Sequence, residues 1–133
     1  MADILVPISP GELIDKITIL EIKSERMTDA TKLANVRLEL KLLTDTWSAS
    51  SYSQTDIRAE WAELKRINGE LWVIEDEIRD EERAQRFGEQ FIKLARAVYF
   101  INDDRAAVKR SINDKLGSRI VEEKSYADYK QKS

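Results

Sequence analysis

Apolar residues recur in steps of three and four along four long stretches of this chain, the spacing of amphipathic α-helices. The first helix is predicted over residues 10–27. Ser9 stands before it as a capping residue, Pro10 takes the first helical position, and Glu12 completes a capping box. The pattern therefore predicts a sharply defined helix start.

The first predicted helix carries apolar residues on two faces. One stripe is formed by Leu13, Ile17, Leu20 and Met27. The opposite face carries Asp15, Ile19, Ile22 and Arg26. Since a simple surface helix keeps its second face polar, this helix is expected either to be central in the fold or to meet another subunit. From the second alternative we predict a homodimer.

The second helix begins after a cap at Thr28 or Asp29 and is followed by a serine-rich loop at residues 48–53. Its steps of three and four indicate a helical hairpin or a coiled-coil seam. The seam consists of Leu33, Val36, Leu40, Leu43 and Trp47.

The third helix is predicted over residues 56–87 and the fourth over residues 89–116, with Gly88 and Gly117 as stops. Gly69, inside the third helix, costs about 1 kcal/mol relative to alanine, so close packing or a bend is expected there. We expect the tryptophans at or near the seams, Trp47, Trp61 and Trp72, to be core residues.

Short connections between these helices predict an all-α fold, an antiparallel bundle of about four helices arranged as two hairpins. Residues 1–133 are interpreted as one domain. The apolar residues 3–8, kept from helical structure by Pro7 and Pro10, are predicted to form an extended segment lying across the helices. Residues 118–133 are polar and are interpreted as an irregular tail.

Four polar residues occupy the buried-side stripe of the fourth helix, where Ala95, Val98 and Leu116 continue it at either end. These polar residues are Asn102, Arg105, Lys109 and Asn113. A buried charge is costly unless it is paired. The stripe therefore indicates either internal pairing, which is the more frequent case, or a pocket for a phosphorylated or carboxylated small molecule.

Acidic residues of the third helix are candidate partners of this stripe. Glu75 shares a face with Asn68, Trp72 and Arg79, and Asp76 lies beside it. With Asp15 and Arg26 of the first helix, charges from three helices are predicted to converge, as they do in the sites of helical bundles. A structural ion-pair network explains the same residues almost as well.

The composition excludes several kinds of chemistry. Without cysteine or histidine the chain has no thiolate, no Ser-His catalysis and no imidazole metal ligand. A metal site would need oxygen ligands for magnesium, manganese or calcium. The acids from Glu75 to Glu82 are such ligands, but arginines at helical spacing favour a solvated ion-pair face instead.

Charge and hydropathy limit the partners and the location. The 22 basic and 25 acidic residues are interleaved, with a net charge of −3, so no nucleic-acid partner is predicted. No signal peptide and no apolar stretch long enough to span a membrane are visible. We therefore expect a cytoplasmic protein without a membrane partner.

Three segments, residues 10–23, 71–79 and 102–113, resemble a family of small helical domains of bacteria and phages, Domain of Unknown Function 6165. The resemblance covers nearly the whole chain and implies that these segments form a shared core, without assigning a reaction. The first helix also resembles that of helical chorismate mutases, for which Arg26, Arg105 and Lys109 would be the analogous cations. The second-helix Asp-x-x-Arg-Glu pattern of those enzymes is missing.

These patterns together favour a binding or interaction module with a charged pocket between helices, and not an enzyme. The predicted ligand-binding residues are Asp15, Arg26, Glu75, Asp76, Asn102, Arg105, Lys109 and Asn113. No cofactor and no metal residue are predicted. The alternatives are a phosphohydrolase with magnesium on helix carboxylates, a metal-independent catalyst similar to chorismate mutase, and a purely structural protein-interaction domain.

Overall fold

The computed structural model describes residues 2–129 and is built from α-helices. These are α1 (Pro10–Arg26), α2 (Ala30–Ala49), α3 (Arg58–Arg83) and α4 (Glu89–Leu116), with a 3₁₀ helix (Ser51–Gln54) between α2 and α3. No strand occurs within these residues, and the predicted all-α class is confirmed. Residue 1 and residues 130–133, the end of the predicted tail, lie outside the described residues.

The helix starts follow the capping residues in the sequence. The Ser9 hydroxyl accepts a hydrogen bond from the Glu12 backbone N–H at 3.2 Å, and the Asp29 carboxylate accepts one from the Lys32 backbone N–H at 2.8 Å. Each bond satisfies a donor that the first helical turn leaves free. The Glu12 side chain does not complete the capping box, because its carboxylate bonds to Lys109 on α4 instead.

The end of α3 differs from its prediction. The helix ends at Arg83 instead of residue 87, and Gln85 takes the left-handed conformation at φ 58°. The Gln85 and Arg86 backbone N–H groups bond to the carbonyls of Glu82 and Glu81, which closes the helix in a Schellman motif. Gly88 precedes α4 at φ −86° and does not stop α3. Gly117 ends α4 at φ 68°, as predicted.

Helix α1 is central, since it packs against α2, α3 and α4. The core around it is formed by Leu13, Ile14, Ile17, Trp47, Ile57, Leu64 and Ile112. Trp47 and Trp61 meet edge to face at 6.0 Å between ring centroids. Lys115, near the end of α4, bonds to Glu60, near the start of α3, at 3.0 Å, so this hairpin is antiparallel. Both faces of α1 are used within the chain, and its apolar second face no longer requires a second subunit.

The two ends of the described chain behave differently. The prediction that residues 3–8 lie across the helices is wrong, because Ile4 and Leu5 are each 91% exposed. The tail, residues 118–129, has no helix or strand and returns along α4. It places Glu122 against Ser9, so the space beside the start of α1 is occupied by the tail.

None of the described helices is both long and apolar enough to cross a lipid bilayer.

Candidate functional site

The polar stripe of α4 faces α1, and its arginine is paired there. The Arg105 Nε donates to Asp15 Oδ1 at 2.9 Å, and its Nη2 donates to the other carboxylate oxygen. The Asp15 side chain is 2% exposed, and that of Arg105 is 30% exposed. This two-pronged geometry is the strongest form of pairing between guanidinium and carboxylate, and it joins residues 90 positions apart.

Helix α3 contributes an amide to the same pair. The Asn68 Nδ2 donates to Asp15 Oδ1 at 2.9 Å and lies 3.1 Å from the Thr18 hydroxyl oxygen, to which it also donates. The hydrogen bonds that Arg105 donates to Asp15 raise the pKa of Arg105, although burial opposes the shift. Asp15 therefore ties α1 to both α3 and α4, and the buried carboxylate has a donor on each side.

One turn further along α4, Lys109 bonds to two carboxylates. Its Nζ lies 2.6 Å from Glu12 Oε2 and 3.0 Å from Glu122 Oε2. Burial acts to lower the pKa of Lys109, but the hydrogen bonds to Glu12 and Glu122 outweigh it, so the pKa is raised. The Ser9 hydroxyl donates to Glu122 Oε1 at 2.7 Å. A carboxylate from the tail is thus held between a lysine and a serine at the start of α1.

The start of α1 touches the backbone of α4 directly. The Gly11 N–H donates to Asn113 Oδ1 at 2.7 Å, and Asn113 is buried. A Cβ at Gly11 would lie 2.5 Å from the carbonyl oxygen of Lys109. The absence of a side chain at Gly11 therefore sets how closely the two helices approach.

Two cavities meet at Arg105. The larger, about 1010 Å³, lies between α4 and the tail and is lined by Asn102, Arg105, Lys109 and Asn113. The smaller, about 510 Å³, lies between α1, α3 and α4, and Asn102 and Arg105 also line it. The polar stripe therefore borders space on both sides, and its larger opening faces the tail instead of the helices.

The structure brings together five of the eight residues predicted for the site: Asp15, Asn102, Arg105, Lys109 and Asn113. Glu75 and Asp76 line the smaller cavity, but Glu75 bonds to Arg79 of its own helix at 2.5 Å. Arg26 is exposed and lines a separate groove at the other end of α1.

These positions bear on the two enzyme alternatives. Arg26 does not lie with Arg105 and Lys109, so the three cations needed for a site similar to chorismate mutase do not converge. Among residues 2–129, no three acidic side chains are grouped closely enough to hold a metal ion. The magnesium alternative therefore has no ligand set in the described part of the chain.

Sequence reasoning missed three residues of the site: Ser9, Glu12 and Glu122. The first two were interpreted only as helix-start residues, although Glu12 lies one turn before Asp15 on the same side of α1. Glu122 lies in a tail without periodicity, so no pattern in the sequence relates it to Lys109.

Acidification is expected to release the tail. Burial acts to raise the pKa of Glu122, but the hydrogen bonds from Ser9 and Lys109 outweigh it and hold the pKa below its ordinary value of 4.5. The ionised Glu122 side chain therefore stabilises the docked tail. This stabilisation is complete above pH 4.5 and is lost as the pH falls through the lowered pKa of Glu122. The backbone amide resonances of residues 121–124 should move to free-chain positions below pH 4.5 in NMR spectra.

Two matched variants test this assignment of the acid transition. Glu122→Gln should remove the transition, whereas Glu123→Gln, which alters the exposed neighbour paired with Arg110, should retain it. An unchanged transition in Glu122→Gln would show that another group controls the tail.

A protein-family model described as "Family of unknown function (DUF6165)" matches residues 4–131 of the chain. The match confirms the resemblance found in the sequence and covers all of the helices. No curated protein and no solved structure matches the chain.

Proposed function

We propose that this chain, which belongs to the DUF6165 family of unknown function, is a cytoplasmic binding module for an anionic small molecule. The ligand would carry a phosphate or a carboxylate and would bind beside Lys109, between α4 and the tail. The position of Glu122 carries this proposal, because its carboxylate occupies the site as an internal ligand.

The surroundings of Glu122 are suited to an anion from outside. Ser9 Oγ and Lys109 Nζ lie 2.7 and 3.0 Å from its two oxygens. Ser9 precedes α1 and the Lys109 Nζ reaches from α4 to Glu12 in its first turn, so both groups lie near the start of α1, where the helix dipole favours negative charge. The Glu122 side chain is 41% exposed and belongs to a tail without a buried residue in its described part. An exposed carboxylate of this kind can be exchanged for a ligand at small cost.

The space beside Lys109 supports a ligand larger than a single ion. The cavity of about 1010 Å³ is at the upper end of the range for small-molecule sites, roughly 300–1,000 Å³. The Arg110 Nη2 donates to the carbonyl oxygen of Glu122 at 3.1 Å, so a second cation borders the position. Asn102 and Asn113 add amide groups to the cavity wall.

The two cations of the stripe take different roles in this proposal. Arg105 directs its Nε and one terminal nitrogen at Asp15, so it holds the wall of the site in place. Lys109 would contact the ligand, because one of its two carboxylate partners lies on the detachable tail. When Glu122 is displaced, the carboxylates of Glu12 and Asp15 neutralise the positive charges of Lys109 and Arg105. The entering anion then supplies the negative charge that Glu122 supplied before.

Isothermal titration calorimetry with inorganic phosphate and with malonate, in a buffer free of other multivalent anions, tests the proposal. We expect Glu122→Gln to bind at least tenfold more tightly than the natural chain, because the internal competitor loses its charge. Lys109→Ala should bind at least tenfold more weakly. Lys41→Ala, which alters an exposed lysine on α2, is the control and should change nothing.

Heat that is unchanged in Lys109→Ala would contradict the proposed site. A complete absence of heat in both the natural chain and Glu122→Gln would favour the purely structural alternative, in which the ion pairs only hold helices together. The enzyme alternatives are not proposed, since Arg26 and the acids of α3 lie away from Lys109.

A further inference from the structure

The N-terminal arm, residues 3–8, exposes a continuous apolar run. Ile4 and Leu5 are each 91% exposed and Val6 is 66% exposed, and the arm has no helix or strand. A contiguous apolar segment in water is unfavourable, and on natural proteins such surfaces mark interaction sites. The extended backbone also leaves its N–H and C=O groups available to a partner.

A groove of about 830 Å³ at the other end of the molecule is lined by apolar and by charged side chains. The two acids among them are paired, Glu25 with Lys65 and Glu70 with Arg66. The residues of the groove come from α1, α3 and α4 and include Ile22, Ala62, Gly69, Val73, Ile74 and Ile101. Val73 is 40% exposed. We call this surface the α3 groove. It shares no lining residue with the cavity beside Lys109.

Gly69 in the α3 groove is not explained by packing within the described chain. A glycine inside a helix costs about 1 kcal/mol relative to alanine, yet nothing lies within 4 Å of the place where its Cβ would be. The sequence predicted close packing or a bend at Gly69, and the described residues do not supply the close packing. A partner backbone that approaches α3 closely would account for the missing side chain.

Charge and chain length indicate which segment fits the α3 groove. Arg26 lies at its edge, and among residues 2–129 neither Arg26 nor Asp3 takes part in an ion pair or a side-chain hydrogen bond. The reach of the arm can be compared with the length of α1. Arg26 is about 25 Å from Ser9 along α1, at 1.5 Å per residue. A fully extended arm places Asp3 about 20 Å from Ser9, at roughly 3.3 Å per residue. Asp3 therefore falls short of Arg26 of its own chain, and α2, α3 and α4 pack against α1 along the way.

We infer that the arm of one copy docks in the α3 groove of a second copy, with Asp3 beside Arg26, and that the exchange is reciprocal. Each chain then supplies one arm and one groove, as a twofold symmetric dimer requires. Because each contact involves one arm of six residues, we expect the interface to lie near the lower limit for stable interfaces, about 1,200 Å². The dimer is accordingly expected to dissociate in the micromolar range.

Sedimentation velocity on the full chain over a range of concentrations tests the dimer. Leu5→Asp should weaken self-association at least tenfold without changing the melting temperature, because Leu5 is exposed in the single chain. Gly69→Ala should also weaken it at least tenfold while raising the melting temperature. Leu38→Asp, on the exposed face of α2, is the matched control and should dimerise like the natural chain.

A monomer at all concentrations would overturn the inference. A dimer that dissociates in Leu38→Asp but persists in Leu5→Asp would also overturn it, because its interface would then lie on α2. If Gly69→Ala raises the melting temperature but dimerises normally, the groove assignment fails even though the chain dimerises.

Cysteine trapping adds a direct measurement, since the natural chain contains no cysteine. A Val6→Cys copy mixed with a Val73→Cys copy should form a disulfide-linked heterodimer under mild oxidation. A Val6→Cys copy mixed with a Leu38→Cys copy is the control for random collision. Equal yields in the two mixtures would contradict docking in the α3 groove.

Discussion

Replacing Asp15 with asparagine is expected to lower the free energy of unfolding by about 3 kcal/mol. The change keeps the size of the side chain but removes the charge that Arg105 and Asn68 contact. Breaking a buried ion pair on one side costs about 3–5 kcal/mol, because the remaining charge has no partner. We expect a loss at the lower end of this range, because the Arg105 side chain is 30% exposed and water can partly solvate its charge. Urea unfolding followed by tryptophan fluorescence measures the loss.

The matched control for Asp15→Asn is Asp45→Asn. Asp45 pairs with Lys41 on the surface of α2, with side chains 63% and 73% exposed, and such pairs contribute about 0–1 kcal/mol. The double change of Asp15→Asn with Arg105→Met should be less harmful than Asp15→Asn alone, because no unpaired charge remains. Equal losses for Asp15→Asn and Asp45→Asn would mean that the buried pair does not hold the bundle together.

Replacing Gly11 with alanine is expected to lower the free energy of unfolding by about 2 kcal/mol. In an ordinary helix the same change stabilises the folded chain by about 1 kcal/mol, so the effect expected at Gly11 has the opposite sign. The new Cβ would lie 2.5 Å from the Lys109 carbonyl oxygen and 2.9 Å from Asn113 Oδ1. Because one of these atoms is backbone, α1 and α4 must move apart, and overpacking of this kind costs about 1–3 kcal/mol. The buried bond from Gly11 to Asn113 is weakened as well.

Gly69→Ala is the matched control for Gly11→Ala. Both glycines are helical, but nothing lies within 4 Å of a Cβ at Gly69, so alanine there should stabilise the folded chain. Unfolding curves of the two variants should shift in opposite directions. A Gly11→Ala variant as stable as the natural chain would contradict the close approach of α1 and α4.

The two cations of the α4 stripe, with the residues that contact them, form two groups with different consequences for experiment. Asp15, Asn68 and Arg105 form a network closed within the chain, so changes there should affect stability first. Lys109 and Ser9 both bond to Glu122 of the tail, so under the proposed function changes there should affect ligand binding more than stability. Measuring both properties for both groups separates the structural and the binding interpretation of the stripe.

The sequence by itself determined the number and the approximate positions of the long helices of this chain, but not the end of α3. Ser9 predicted the start of α1, and the pair Thr28 and Asp29 predicted the start of α2. Gly117 predicted the end of α4, and the apolar spacing predicted which side of each helix is buried. These features are readable because capping bonds and helical periodicity join residues within a few positions of each other. Even the inward direction of Arg105 follows from its place in the apolar register of α4.

Only the tertiary structure decided which groups meet. It paired Arg105 with Asp15 across 90 positions, left Arg26 at the far end of α1, and brought Glu122 from the tail to Lys109. Periodicity gives the angle of a residue around its own helix. It does not give the neighbouring helix, the register of the two helices or the path of an irregular tail. Those depend on how the whole set of apolar faces packs at once, a property of the folded chain and not of any single segment.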